Sequence, residues 1–114
     1  MYIIIIDKAI ERHENHISFF KDNGMDENQY QIITSLENDP KALKELQADI
    51  LVVHARNSNE HARIESDDSI GGGIRIFYSE GLHSCTEIDP YNHYIPYKFL
   101  YEKLKEFIRQ PSDS

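Results

Sequence analysis

Asp7, His54 and Ser79 share one context: each closes a short run of apolar, β-favouring residues. Tyr2-Ile3-Ile4-Ile5-Ile6 precedes Asp7, Ile50-Leu51-Val52-Val53 precedes His54, and Ile74-Arg75-Ile76-Phe77-Tyr78 precedes Ser79. Such runs read as buried parallel strands, and the carboxyl ends of strands in an open α/β sheet are where ligands and reacting groups sit. An imidazole titrating near neutral pH, a carboxylate to orient it and a hydroxyl nucleophile are the parts of a small hydrolase or nucleotide-binding site. Arg56 would hold an anion there, with Asn57 and His83 as further ligand-binding candidates. The plainer reading is that strand-end polar groups satisfy backbone groups where the sheet stops.

Other chemistry-bearing residues are less organised. His54 and His61, flanked by Glu60 and Glu65, are of zinc-ligating type, as are His13 and His16, but no recognised close ligand spacing is present. No metal and no cofactor are expected. Cys85 follows His83 by two residues, a separation at which side chains meet only in a bent loop, so the thiol reads as inert. Gly71-Gly72-Gly73 precedes a strand, whereas a phosphate-cradling loop follows one, so these glycines mark flexibility or close backbone approach.

The elements that must position these residues alternate between strand-like runs and segments of helical period, the pattern of a parallel sheet with helices on both faces. Ile10, His13, Ile17 and Phe20 form the apolar stripe of a helix that Gly24 stops. Tyr30 to Thr34 reads as the second strand. Asp39-Pro40 then caps a short helix bearing Ala42, Leu43 and Leu46. Residues 55–69 form a polar stretch, either a weak, solvated helix or a mobile loop, and the fourth crossover, from Glu80 to His93, is irregular, with a short fifth strand around Tyr94-Ile95. Phe99, Leu100, Leu104, Phe107 and Ile108 make the stripe of the last helix, ended by Pro111. The expected architecture is a single-domain, doubly wound, five-stranded parallel sheet over residues 1–109, with a disordered tail at 110–114.

Length and charge narrow the partners. At 114 residues the chain suffices for one domain with its own core, needing neither metal nor disulfide. Twenty acidic residues against twelve basic ones, a net charge of −8, argue against nucleic acid, whose phosphates require a basic surface. One cysteine excludes an internal disulfide, and the opening apolar run is too short for a signal peptide or membrane span, so a cytoplasmic protein without membrane contact is expected.

The order of elements resembles the receiver domain of response regulators, a flavodoxin-like fold, over nearly the whole chain. Asp7 matches one member of a receiver's acidic pair, Lys8 replaces the other, Ser79 matches the hydroxyl at the fourth strand, and Lys98, after Tyr97, stands one residue later than a receiver's lysine. His54 occupies the place of the phosphate-accepting aspartate. An imidazole cannot form an acyl phosphate and is a poor Mg²⁺ ligand, so the resemblance implies a pseudo-receiver that does not signal by phosphorylation. Tyr91, Tyr94, Tyr97 and Tyr101 cluster near the last strand and helix, where the resemblance implies an interface with a protein partner or a second copy, as in a homodimer.

Overall fold

The computed structural model describes residues 1–34, 47–54, 64, 73–82 and 84–109. Within them lie β1 (Ile3–Ile6), α1 (Ile10–Asp22), a 3-10 turn (Glu27–Gln29), β2 (Tyr30–Ile33), β3 (Ile50–His54), β4 (Ile74–Ser79), β5 (Thr86–Asp89), β6 (Asn92–Pro96) and α2 (Tyr97–Arg109). The six strands form one sheet in the order β2-β1-β3-β4-β6-β5. All neighbours are parallel except β5 and β6, which pair antiparallel.

The three apolar runs occupy the centre of this sheet, where both faces are covered and every position can be apolar. Their register puts Ile3, Ile50 and Ile74 in one row and Ile5, Val52 and Ile76 in the next. Phe20 and Phe19 of α1 and Leu100, Leu104 and Phe107 of α2 pack on that face. Burying one such side chain contributes roughly 1.5–3 kcal/mol, so these rows with the two helices are the main hydrophobic store of the fold. Ile4, Ile6, Leu51, Val53 and Phe77 point to the opposite face, where Ile64 packs against them.

Three expectations are corrected. The sheet has six strands, not five, and one is antiparallel: Thr86-Glu87-Ile88-Asp89, within the stretch read as an irregular crossover, is rich enough in β-favouring residues to form an edge strand before the Pro90-Tyr91 turn. α1 and α2 lie on the same face; the doubly wound arrangement needs further helices on the other, and the short helix expected after Asp39-Pro40 and, apart from Ile64, the polar stretch 55–69 lie outside the described residues, as does the tail at 110–114. The buried stripe of α1 runs through His16, Phe19 and Phe20, while Ile10 is 69% exposed. In α2 the stripe takes in Tyr97 and Tyr101 with Leu100 and Leu104, and Phe99 is turned outward.

Two glycines carry the backbone where a side chain could not. Gly24 has φ of +76° and completes a Schellman ending of α1, with Met25 N–H bonded to Phe20 O at 3.0 Å and Gly24 N–H to Lys21 O at 3.1 Å. Gly24→Ala is expected to cost about 1 kcal/mol in urea unfolding, the penalty of a Cβ in the left-handed region. At Gly73 a Cβ would lie 2.6 Å from the carbonyl oxygen of Asp49, which accepts the N–H of Ile74 at 3.0 Å. Gly73→Ala must part β3 from β4 at their starts, and a loss of about 1–3 kcal/mol is expected in the same measurement. Among the described residues no helix is long and apolar enough to cross a membrane.

Candidate functional site

Side chains alternate across a strand, so the row above Ile5, Val52 and Ile76 on the helical face is Asp7, His54 and Tyr78. His54 and Tyr78 are register partners, with ring centroids 5.1 Å apart at an edge-on angle. Arg12 and His16, one turn apart on α1, come down onto this row. Tyr97 and Tyr101, one turn apart on α2, close it from the other side.

Asp7 is fully buried and is the centre of the cluster. Its Oδ1 accepts the Ala9 N–H at 2.9 Å and Arg12 Nη2 at 2.9 Å; its Oδ2 accepts Arg12 Nε at 2.8 Å, His16 Nε2 at 3.1 Å and the Tyr78 hydroxyl. The Arg12 fork is thus bidentate, the geometry in which guanidinium and carboxylate interact most strongly. Burial alone would raise the Asp7 pKa, but the combined hydrogen bonds from His16, Arg12, Tyr78 and Ala9 outweigh it and hold the carboxyl far below the usual carboxylate range. The same hydrogen bond holds Arg12 more firmly protonated than a free guanidinium.

Proton positions follow from what each partner can do. A carboxylate only accepts, so His16 Nε2 carries a proton, and in the neutral ring Nδ1 accepts from the Tyr101 hydroxyl at 2.7 Å. Tyr97 Oη lies 3.3 Å from Tyr101 Oη and takes the Asn15 amide at 3.5 Å. A directed chain therefore runs Asn15, Tyr97, Tyr101, His16, Asp7. Arg12 can only donate, so His54 Nε2, 3.2 Å from Arg12 Nη2, is an acceptor and the His54 ring proton lies on Nδ1. His13 Nε2 donates to the backbone carbonyl of Asp7 at 2.7 Å. At the rim, Arg12 Nη1 reaches Glu80 Oε1 at 2.7 Å. Burial, then the bond to Asp7, pushes the Tyr78 phenol well above its ordinary pKa, and burial followed by the Tyr97 contact does the same to Tyr101.

Of the candidate residues, the structure brings Asp7, His54, Tyr97 and Tyr101 to one place. Ser79 belongs to the opposite face by strand alternation, and its hydroxyl accepts the Gly81 N–H at 3.1 Å, closing the turn after β4. Lys8 is exposed beside Asp7. Lys98 lines a cleft of about 590 Å³ that adjoins the cluster at Glu80 and Tyr97 and is completed by Leu82 and Pro96, its ammonium 5.1 Å from the Phe99 ring. Tyr94 stacks on Phe77 at 5.1 Å on the face away from the helices, and Tyr91 is 63% exposed at the hairpin turn, so the four tyrosines occupy three places. Arg56, Asn57 and His83 lie outside the described residues. Among the described residues no group of three or more His, Cys, Asp or Glu is arranged to hold a metal ion.

Arg12 and Tyr78 are members of the cluster that sequence reasoning passed over, and His16 enters that reasoning only as a candidate zinc ligand. The available signal was the spacing of Arg12, His16 and Phe20 at four-residue intervals directly after a strand ending in Asp7. Comparison with protein-family models, with curated proteins and with solved structures finds no match to this chain.

Proposed function

We propose that the chain is a receiver-like module of flavodoxin-type strand order that acts in the cytoplasm by contact with a protein partner or with a second copy, and does not take up phosphate. The parallel strands β2-β1-β3-β4-β6 run in the 2-1-3-4-5 order of doubly wound folds, with α1 and α2 together on one face, which supports the fold half of this reading. The antiparallel β5 is an addition at the sheet edge.

The observation that carries the functional half is the Asp7–Arg12 fork. In a receiver, the carboxylates at the ends of the first and third strands hold Mg²⁺, which requires hard oxygen ligands in near-octahedral array. Here both Asp7 oxygens are occupied by the chain's own cation and hydrogen-bond donors, and the third strand ends in the imidazole of His54. These residues do not fit Mg²⁺. The guanidinium supplies the positive charge at this edge, and the site is a closed structural lock rather than a phosphorylation pocket.

Incubation with acetyl phosphate and Mg²⁺ tests this by intact mass: the mass stays unchanged, and Mg²⁺ leaves the amide spectrum around Asp7 and His54 undisturbed. A hydroxylamine-labile phosphoryl adduct overturns the reading. His54→Ala is expected to retain whatever association the native chain shows by light scattering, once corrected for stability, because contact requires no reacting imidazole.

A further inference from the structure

A groove of about 420 Å³ lies between the β5–β6 hairpin and α2, and shares no lining residue with the Asp7 cluster. Ile95 and Phe99 give it an apolar wall, and Glu87, Glu102 and Glu106 give it a carboxylate rim. None of these three carboxylates has an ion-pair partner among the described residues, and all three are exposed. Lys103 also lines the groove, but its ammonium lies 5.5 Å from the Phe107 ring.

His93 is the second observation. Its ring is 5% exposed, lines the same groove, and packs edge-on against Phe107 at 5.6 Å. Nε2 lies 3.3 Å from the carbonyl oxygen of Pro90, and a carbonyl only accepts, so Nε2 carries the proton. In the neutral ring Nδ1 is then an acceptor without a hydrogen-bond partner among the described residues, in a ring removed from bulk water. Buried polar atoms are normally satisfied, and what this groove has in surplus is acceptors and negative charge beside an apolar wall.

We propose that this groove receives a cationic segment of a protein partner, one bearing Arg or Lys next to an apolar side chain; this rests on the contact reading above and names the partner's chemistry. The ammonium or guanidinium satisfies the Glu rim and offers the donors that the rim and His93 lack, while the neighbouring apolar side chain covers Phe99 and Ile95. A second copy of this chain is the poorer occupant, because two surfaces of a protein carrying a net charge of −8 repel one another.

Cys85, exposed on the groove and the chain's one cysteine, supplies the readout. The full chain is alkylated with neutral iodoacetamide in the presence of the peptide acetyl-Leu-Arg-Leu-Arg-amide, of its Leu-Glu counterpart, or of spermidine. The Arg peptide is expected to slow alkylation about fivefold at high occupancy, and Glu102→Gln/Glu106→Gln to raise the half-protecting concentration about tenfold. The Leu-Glu peptide gives no protection. Absence of protection by the Arg peptide overturns the proposal. So do equal protection by spermidine, which would assign the groove to a free polycation, indifference to the Gln double variant, and slowing with protein concentration alone, which would assign it to a second copy. Phosphoryl uptake, by contrast, would overturn the reading of the Asp7 site as closed to phosphate and leave the groove result standing.

Discussion

Arg12→Ala is expected to destabilise the fold by about 3–5 kcal/mol, because it leaves a fully buried carboxylate without its counter-charge. Asp7 would keep the Ala9 N–H, the Tyr78 hydroxyl and His16, but lose the bidentate fork and, among the described residues, the one permanent cation at its oxygens. The contact with Glu80 at the rim is a minor part of this loss, since the Glu80 side chain is mostly exposed and water screens the pair. Urea unfolding of Arg12→Ala, Asp7→Asn and the double variant checks the claim. The double variant is expected to be more stable than Arg12→Ala alone, because an amide is far cheaper to bury than an unpaired charge.

The same substitution weakens the acid response. In the native chain the folded pKa of Asp7 is depressed, so its contribution is fully present above the unfolded value near 3.8 and is lost as the pH falls below it. Without Arg12 the folded pKa moves up toward the unfolded value, because burial is then opposed by His16, Tyr78 and Ala9 without the fork. Native stability therefore falls on acidification from pH 5 toward pH 3, while that of Arg12→Ala falls less over the same range. A loss below about 1 kcal/mol for Arg12→Ala, or parallel acid profiles for the two proteins, would show that the fork is decorative.

How far these features could be read from residues alone depends on which signal each one uses. The centre of the sheet was legible because β1, β3 and β4 are buried on both faces and so consist of nearly unbroken apolar runs. The row of Asp7 and His54 was legible for the same reason, since each is the first polar residue after its run. Ser79 was misleading: counting from the end of a strand finds the last residue, whereas the face is decided by alternation, and alternation selects Tyr78. On α1, an apolar stripe through Ile10 and His13 is a sound reading of hydrophobicity, yet the fold buries His16 and turns the half-buried Arg12 onto Asp7, which sits beneath them and must be neutralised. Only the pairing of β1 with α1 reveals that demand. The hairpin was hidden because β5 is a short edge strand whose exposed Thr86 and Glu87 carry no apolar alternation. The three glycines before β4 read as flexibility or close approach; at Gly73 it is close approach, and the residue approached, Asp49, is visible only once β3 and β4 are paired.

The alkaline arm is where the largest pH effect should appear. Tyr78 and Tyr101 both have folded pKa values raised above the unfolded value near 10, Tyr78 by burial and its bond to Asp7, Tyr101 by burial and Tyr97. For such groups the neutral form is the one the fold accepts. Their stabilisation is fully present below pH 10 and is lost as the pH rises above it, because the unfolded chain then releases protons that the folded chain retains. With two protons retained, the slope approaches about −2.7 kcal/mol per pH unit. Urea midpoints measured from pH 8 to pH 11.5, with absorbance at 295 nm recorded in parallel, should show the last phenols of the seven tyrosines ionising together with unfolding. Tyr78→Phe removes one of the two protons and about half of the slope, at the cost at neutral pH of about 1.5–3 kcal/mol for its bond to a charged acceptor. Tyr101→Phe removes the other and frees His16 Nδ1 without touching the Asp7–Arg12 fork, so its neutral-pH loss should be the smaller. If all seven phenols titrate before the far-ultraviolet signal changes, the relay from Tyr97 through Tyr101 and His16 is open to water, and the closed lock at the carboxyl edge of the sheet fails with it.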